Sequence, residues 1–349
     1  KTAIAQTAAD VRPGAKTARE VLFIMVQVDL ITGFLGAGKT TFLRRYVRYL
    51  VEQGHNVCIL ENDFGAVNVD AMLVQDLLGP NCDLETISGG CDCDTHQRRM
   101  RTKLIAMAMR GFDRVVVEPS GIFDVDEFFD VLRDDPLDRW YQVGNVIAIV
   151  DAMLPETLSP QAEYLLASET ANAGRVLLSR TRQAGQAQTA AAAAHLTRAL
   201  EGCKCSRRFA PEEILTKDWA QLTEADLAAL ASCGYRQASC EKLHFDEHEA
   251  FSSLCFLEQH LTLQQLQAAA DRLFADRACG HVLRVKGFAP DPGGQTGWLE
   301  LNATAAGKTL APIPQGQDVL IVIGEGLDKA AIEARLKACL LYTSPSPRD

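Results

Sequence analysis

The segment Gly33-Phe34-Leu35-Gly36-Ala37-Gly38-Lys39-Thr40-Thr41 constrains the fold of this chain more than any other stretch in it. It follows an apolar run, 26–31, that reads as a buried strand, and it precedes 42–51, where apolar residues recur at helical spacing. The glycines let the backbone turn and offer successive N–H groups, and the start of a helix adds its positive end. A GxxxxGKT loop in that setting cradles phosphates, with Lys39 reaching the β and γ groups and the Thr40 hydroxyl ligating Mg²⁺. Gly33, Gly36, Ala37, Gly38, Lys39, Thr40 and Thr41 are therefore the expected nucleotide contacts.

Such a loop calls for a second carboxylate at the end of another core strand. Arg114-Val115-Val116-Val117-Glu118-Pro119-Ser120-Gly121 supplies one. Glu118 is expected to hold the Mg²⁺ shell or to orient the attacking water, and Gly121 to offer its N–H to a γ-phosphate. The bland alternative is a strand-end carboxylate with no metal role. Further buried runs near 57–60, 146–150 and 176–178 alternate with helical stretches. The fold class that follows is α/β, a P-loop NTPase with a doubly wound, mainly parallel sheet. The Ala-rich stretch 186–200 reads as a helix, and so does 222–231 with Thr223 as its N-cap. From Ser239 the signals fit a smaller α+β domain, with strands at 251–256, 282–288, 298–302 and 319–323 and helices at 263–274 and 328–337.

Between the two phosphate elements lies Ile87-Ser88-Gly89-Gly90-Cys91-Asp92-Cys93-Asp94-Thr95-His96. Cys91, Cys93, Asp94 and His96 are four candidate ligands on one turn, and a soft thiolate pair completed by carboxylate or imidazole suits Zn²⁺, with Co²⁺ or Ni²⁺ as alternatives. Packed thiols at a helix start are the competing reading. Two lesser clusters draw notice: Cys203 and Cys205 with His195, a transfer site or simply an exposed turn, and Cys240 with His244 and His248, a ligand set or a solvated acidic loop.

Taken together, GFLGAGKTT, Glu61-Asn62-Asp63-Phe64-Gly65, the GGCxC turn and Glu118-Pro119-Ser120-Gly121 resemble the CobW-like GTPases, relatives of UreG and HypB. His281-Val282-Leu283-Arg284-Val285-Lys286-Gly287-Phe288 resembles the opening strand of that family's C-terminal domain. The resemblance implies GTP and Mg²⁺ as cofactors, hydrolysis of GTP to GDP and phosphate, and delivery of Zn²⁺ (or Co²⁺) to a metal-receiving client protein, with a homodimer as an option. Two departures stand out. The family's CxCC has Asp94 in place of its third cysteine, which disfavours the softest ions while leaving Zn²⁺ acceptable, and His96 or Cys82 is left to complete a shell. Its NKxD base motif reads Ser179-Arg180-Thr181-Arg182 here. Arg180 can stack on a purine, but Arg182 cannot accept the guanine N1 and N2 hydrogens, although Gln183 offers an amide oxygen close by. The other readings are a nucleotide-binding regulator with little turnover, a cobalt handler of cobalamin biosynthesis, and a small-molecule kinase.

Composition agrees with this outline. The 349 residues suffice for two modest cores, and a net charge of −10 argues against a nucleic-acid partner. The apolar run 21–28 is too short for a membrane span, so no membrane partner is expected. Eleven cysteines without a secreted framework suggest reduced thiols and a cytoplasmic protein. The expected organisation is an upstream extension at 1–24, a GTPase domain at 25–217, a helical connector at 218–238 and a CobW C-terminal-like domain at 239–338. The run CLLYTSPSPRD at 339–349 reads as translated sequencing adapter, which would leave Cys339 without a role.

Overall fold

The structure is a computed structural model that describes residues 25–34, 36–63, 73–88, 93–119, 125–238, 240–241, 251–294, 297–304, 307–313 and 316–340, the side chains of 62, 63, 88, 93–96, 127 and 340 excepted. Its first part is a seven-stranded sheet of order β3-β2-β4-β1-β5-β6-β7. The strands are β1 (Val26–Thr32), β2 (Val57–Asp63), β3 (Cys82–Ser88), β4 (Arg114–Pro119), β5 (Tyr141–Asp151), β6 (Arg175–Ser179) and β7 (Ile214–Leu215). Every pairing is parallel. Helices cover both faces, which is why the central strands read as almost unbroken apolar runs.

One face carries Val28, Leu30, Leu60, Val115, Val117, Val146 and Val150. The other carries Ile31, Ile59, Val116, Ile147 and Ile149 against α1 (Lys39–Glu52). Along α1 the buried residues Lys39, Phe42, Leu43, Tyr46, Val47 and Leu50 fall at the three- and four-residue spacing that puts one face inward. The remaining helices of this part are α2 (Cys93–Ala108), α3 (Val125–Arg133), the single turn α4 (Leu137–Trp140), α5 (Pro160–Ala171), α6 (Thr181–Gly202) and α7 (Glu224–Leu230). Helix α6 starts earlier than 186 and breaks its helical geometry at Gly185. Thr223 caps α7 as expected, accepting from Asp226 N. Leu227 and Leu230 of α7 lie in the α1 core, so the expected connector packs onto the parallel sheet.

The second part is a five-stranded antiparallel sheet of order β11-β10-β9-β12-β8. It comprises β8 (Phe251–Leu257), β9 (His281–Pro290), β10 (Trp298–Thr304), β11 (Gly307–Ile313) and β12 (Val319–Glu325). Helices α8 (Leu263–Ala275) and α9 (Lys329–Leu340) bury Leu266, Leu273, Ile332 and Leu336 against one of its faces. Cys339 belongs to that core at 2% exposure and takes a contact from Arg272 Nη1 at 3.4 Å, so the expected break at 339 falls inside a packed helix. No described helix is long and apolar enough to cross a membrane.

The two parts meet beside the phosphate loop. Phe34 packs edge-on to Phe251 with ring centroids 5.7 Å apart, and Ala162, Leu165 and Leu283 close around them. The Ser159 hydroxyl, which caps α5, donates to Glu325 at the end of β12. Leu73 leans on the apolar cluster of Phe288, Ile321 and Ile323 on the face of the antiparallel sheet turned away from its helices.

Candidate nucleotide and metal site

Strand β1 ends at the centre of the parallel sheet, and the loop that follows is drawn tightly against its neighbour β5. A Cβ on Gly33 would lie 2.1 Å from the Ile149 carbonyl oxygen, and φ there is +135°, so only glycine fits. Lys39, 8% exposed, donates from Nζ to Gly33 O at 2.8 Å, which sets its charge at the mouth of the loop. Ala37 is buried and Thr41 exposed.

Thr40 and Glu118, 78 residues apart, meet: Thr40 Oγ1 donates to Glu118 Oε1 at 2.8 Å. Glu61 stands in register with Glu118 on the adjacent parallel strand, so both carboxylates emerge on the same face. They are 2% and 5% exposed. Two buried carboxylates side by side repel, and a hard divalent cation bound by oxygen donors relieves that repulsion. The donor set of Thr40 and Glu118 thus fits Mg²⁺. Gly121 lies outside the described residues.

A third carboxylate, which no motif announced, supports the loop from beneath. Glu169 of α5, 1% exposed, accepts from the Thr32 hydroxyl and from Gly33 N at 3.1 Å. It pins the first glycine of the loop to the body of the domain.

Arg180 adopts a left-handed conformation, φ 54°, at the head of α6. Its guanidinium pairs with Asp151 and donates to Gly36 O at 2.8 Å, tying the base motif to the phosphate loop. Burial pushes the Asp151 carboxyl up, and the Arg180 charge opposes that shift. Asp151 did carry a sequence signal, as the acidic end of the apolar run 146–150.

Beyond Arg180 opens a cavity of about 750 Å³. The first turns of α6, with Arg182 and Gln186, form one wall, and Thr216, Asp218 and Gln221 form the other. Trp219 lies between this wall and the loop: the Cβ position of Gly38 is 3.4 Å from its ring, and the ring packs edge-on to Phe42. Arg45 holds the segment by donating to the carbonyls of Trp219 and Leu222. Arg182 on this wall stands at the position where an NKxD motif carries its aspartate.

Cys91 lies outside the described residues. Cys93, Asp94 and His96 fall in the first turn of α2, and their side chains are likewise outside the description. Cys82 does not belong with them. It opens β3, roughly 20 Å from Ser88 at the strand's other end at about 3.3 Å per residue, and Cys93 comes only after Ser88 in the chain. Helix α2 then runs back, so that Arg110, just past its end, reaches Glu85 at 2.7 Å and Asp83. Burial also pushes the Cys82 thiol up to about 11.

The cysteines of the two lesser clusters come together in the core. Cys203 and Cys205 are 5% and 2% exposed, so their turn is buried rather than solvent-facing, because both thiols pack into the sheet core. The His195 imidazole is engaged by Glu163 Oε1 at 2.6 Å. Cys240 is hydrogen-bonded to Cys205 and its thiol is pushed up, first by burial and then by that contact. His244 and His248 lie outside the described residues. Among the described residues no group of three or more His, Cys, Asp or Glu is arranged to hold a metal.

A phosphate loop at the head of a parallel sheet, backed by a buried lysine and a threonine–glutamate pair, defines a P-loop nucleotide-binding protein. The chain belongs to the CobW/HypB/UreG family: the family's nucleotide-binding domain matches residues 27–206, and the cobalamin synthesis protein cobW C-terminal domain matches 251–340. It is 32% identical to the zinc chaperone YjiA of Escherichia coli K12, over 47% of this chain and 52% of that protein. The chain thus spans about half the length of that relative. It is 26% identical to the zinc chaperone CobW of Pseudomonas aeruginosa, over 94% of this chain and 96% of that protein. Among solved structures, the Zn(II)-bound YjiA GTPase from E. coli aligns at 19% identity over 90% of this chain and 99% of its own, with a TM-score of 0.34. A likeness of that size carries no argument of its own.

Proposed function

We propose that this chain is a GTP-hydrolysing metallochaperone, with zinc as first cargo and cobalt as second, which delivers its ion to a client protein. The observation that carries the reading is the contact of Thr40 with Glu118 at the mouth of a loop whose lysine is buried in place. Relatives named as zinc chaperones support the cargo.

In this reading the N–H groups of Gly36 to Thr41 and the Lys39 ammonium bind the β and γ phosphates. Thr40 and Glu118 hold Mg²⁺, which neutralises charge on the phosphate oxygens when bound. The alternative role for Glu118 is to orient the attacking water, and Gly121 steadies the γ-phosphate. Arg180 fixes the loop through Gly36. Cys91 and Cys93, with Asp94 and His96, take the cargo ion; in sequence they lie between β3, whose Thr86 pairs with Glu61, and α2, and on this reading nucleotide state and ion affinity are coupled. Linkage makes that coupling reciprocal.

The test is phosphate release from GTP under multiple turnover, together with Zn²⁺ and Co²⁺ affinity by chelator competition with and without a non-hydrolysable GTP analogue. Cys91→Ala/Cys93→Ala serves as the control. Turnover plus nucleotide-dependent metal affinity that needs both cysteines upholds the proposal. Nucleotide binding without turnover or metal affinity favours the second reading, a nucleotide-binding regulator, to which Arg182 in the base motif lends support.

A further inference from the structure

We infer that Arg284 of the antiparallel domain is a catalytic arginine supplied in cis to the γ-phosphate, so that hydrolysis requires that domain to be seated on the loop. The inference rests on the GTPase reading above.

Arg284 lies on β9, paired with Ile323 of β12 and Thr304 of β10. Its side chain crosses the domain boundary and lies over the phosphate loop: the Cβ position of Gly36 is 3.7 Å from Arg284 Cδ and 3.9 Å from Nε. Gly36 is the loop residue whose carbonyl Arg180 holds from the other side, and no side chain on Gly36 intervenes between the guanidinium and the phosphate path. Arg284 Nε donates to Asn302 Oδ1 at 2.9 Å, a bond that fixes the guanidinium beside Gly36 without using its two Nη groups. Among the described residues no carboxylate pairs with Arg284. A guanidinium held beside a phosphate cradle, with no carboxylate on it among the described residues, is suited to an anion that arrives with the ligand.

The seat beneath it is built. Phe34 against Phe251, the Ala162, Leu165 and Leu283 cluster, and the Ser159 to Glu325 hydrogen bond fasten the two domains where Arg284 crosses. Lys286, on the same face of β9, is buried and ion-paired with Glu300 at 3.4 Å, so of these two cations Arg284 is the one turned to the loop.

In the step served, the water oxygen bonds to the γ-phosphorus as the bond from that phosphorus to the β–γ bridging oxygen breaks. The electron pair leaves with GDP, and the proton of the water ends on inorganic phosphate. The Arg284 Nη groups donate to the oxygens on which charge accumulates, an arrangement general to phosphoryl transfer.

The test compares full-length wild type, Arg284→Ala, Arg284→Lys and Asn302→Ala in GTP turnover and in formation of a GDP–aluminium fluoride complex. Arg284→Ala is expected to lower kcat on the order of 10³- to 10⁵-fold, with KM within about threefold, and to lose the aluminium fluoride complex while binding GDP normally. Arg284→Lys keeps the aliphatic stem over Gly36, carries the test if the alanine variant does not fold, and should recover only part of the rate. Asn302→Ala, which disturbs a positioning residue, should fall between. Unchanged kcat with an intact aluminium fluoride complex in the Arg284 variants overturns this inference alone. A wild type without GTP turnover overturns the functional reading and this inference with it.

Discussion

Arg182→Asp should turn the base cavity toward guanine. In the structure Arg182 sits exposed on the first turn of α6, across a cavity of about 750 Å³ from Asp218. An aspartate there accepts the N1 and N2 hydrogens of guanine, where the present guanidinium opposes two donors with more donors. Hydrogen bonds to a charged group contribute about 1.5 to 3 kcal/mol, and the exposure of the site places the gain near the lower end. About 1.5 kcal/mol is roughly a tenfold rise in affinity for GTP, and with ATP unaided the GTP to ATP preference should widen by about the same factor. The assay is displacement of a fluorescent nucleotide by unlabelled GTP and ATP from both proteins, with Gln183→Ala alongside. A preference that shifts by less than about threefold refutes the reasoning, because the base would then be read somewhere other than at this wall.

Other outcomes follow from the same geometry. Glu169→Ala leaves the Thr32 hydroxyl and the Gly33 N–H buried without their acceptor, at about 1 to 3 kcal/mol for each, and should lower both the denaturation midpoint and nucleotide affinity. Glu169→Gln, which keeps an acceptor, should lose less. Asp29, fully buried on β1, is held by Arg114 at 2.6 Å, Tyr46 at 2.8 Å and Asn145 at 2.8 Å, so Arg114→Met strands its charge and should cost about 3 to 5 kcal/mol in urea unfolding. Asp29→Asn/Arg114→Met should recover much of that loss, and equal losses in the single and double variants would contradict the account. The Asp226 carboxyl at the head of α7 is held below the usual range, first by Lys217 and then by Thr223. Its contribution to stability is present above the ordinary carboxylate pKa and is lost as pH falls through the lowered value. Asp226→Asn should therefore flatten the acid limb of a stability profile, and an unchanged limb would dismiss it. Burial pushes the Cys58 and Cys233 thiols up to about 12, so iodoacetamide at pH 8 should label them only after unfolding, as mass spectrometry can read.

What the chain disclosed in advance was what local chemistry encodes. The loop at 33–41 carries its own requirements, and strand-end reasoning pointed to Glu118, which meets Thr40 because parallel sheets gather their carboxyl ends at one rim. Glu169 escaped because its role arises only when α5 packs against β1, 136 residues from Gly33. Arg284 read merely as part of a strand for the same reason. Three strands were missed on weaker patterning. β3 alternates Cys82 and Leu84 with Asp83 and Glu85, β7 is two residues long, and β11 exposes all but Ile313, so none presents the unbroken apolar run of the central strands. Cys203 and Cys205 misled because spacing says nothing of burial, and the turn that carries them folds inward against the sheet.

Helix α5 spans about 18 Å at 1.5 Å per residue. Its cap touches the last residue of β12, its middle presses on Phe251, and its far end holds Gly33 through Glu169. A rod fixed at both ends cannot let one end shift without the other noticing. Prying the antiparallel sheet away from Ser159 tilts the seat of the first phosphate-binding glycine, and a ligand that reshapes that glycine's surroundings pushes back on the sheet. Anything that docks on the antiparallel domain therefore has a mechanical route to the phosphate loop that needs no contact with it.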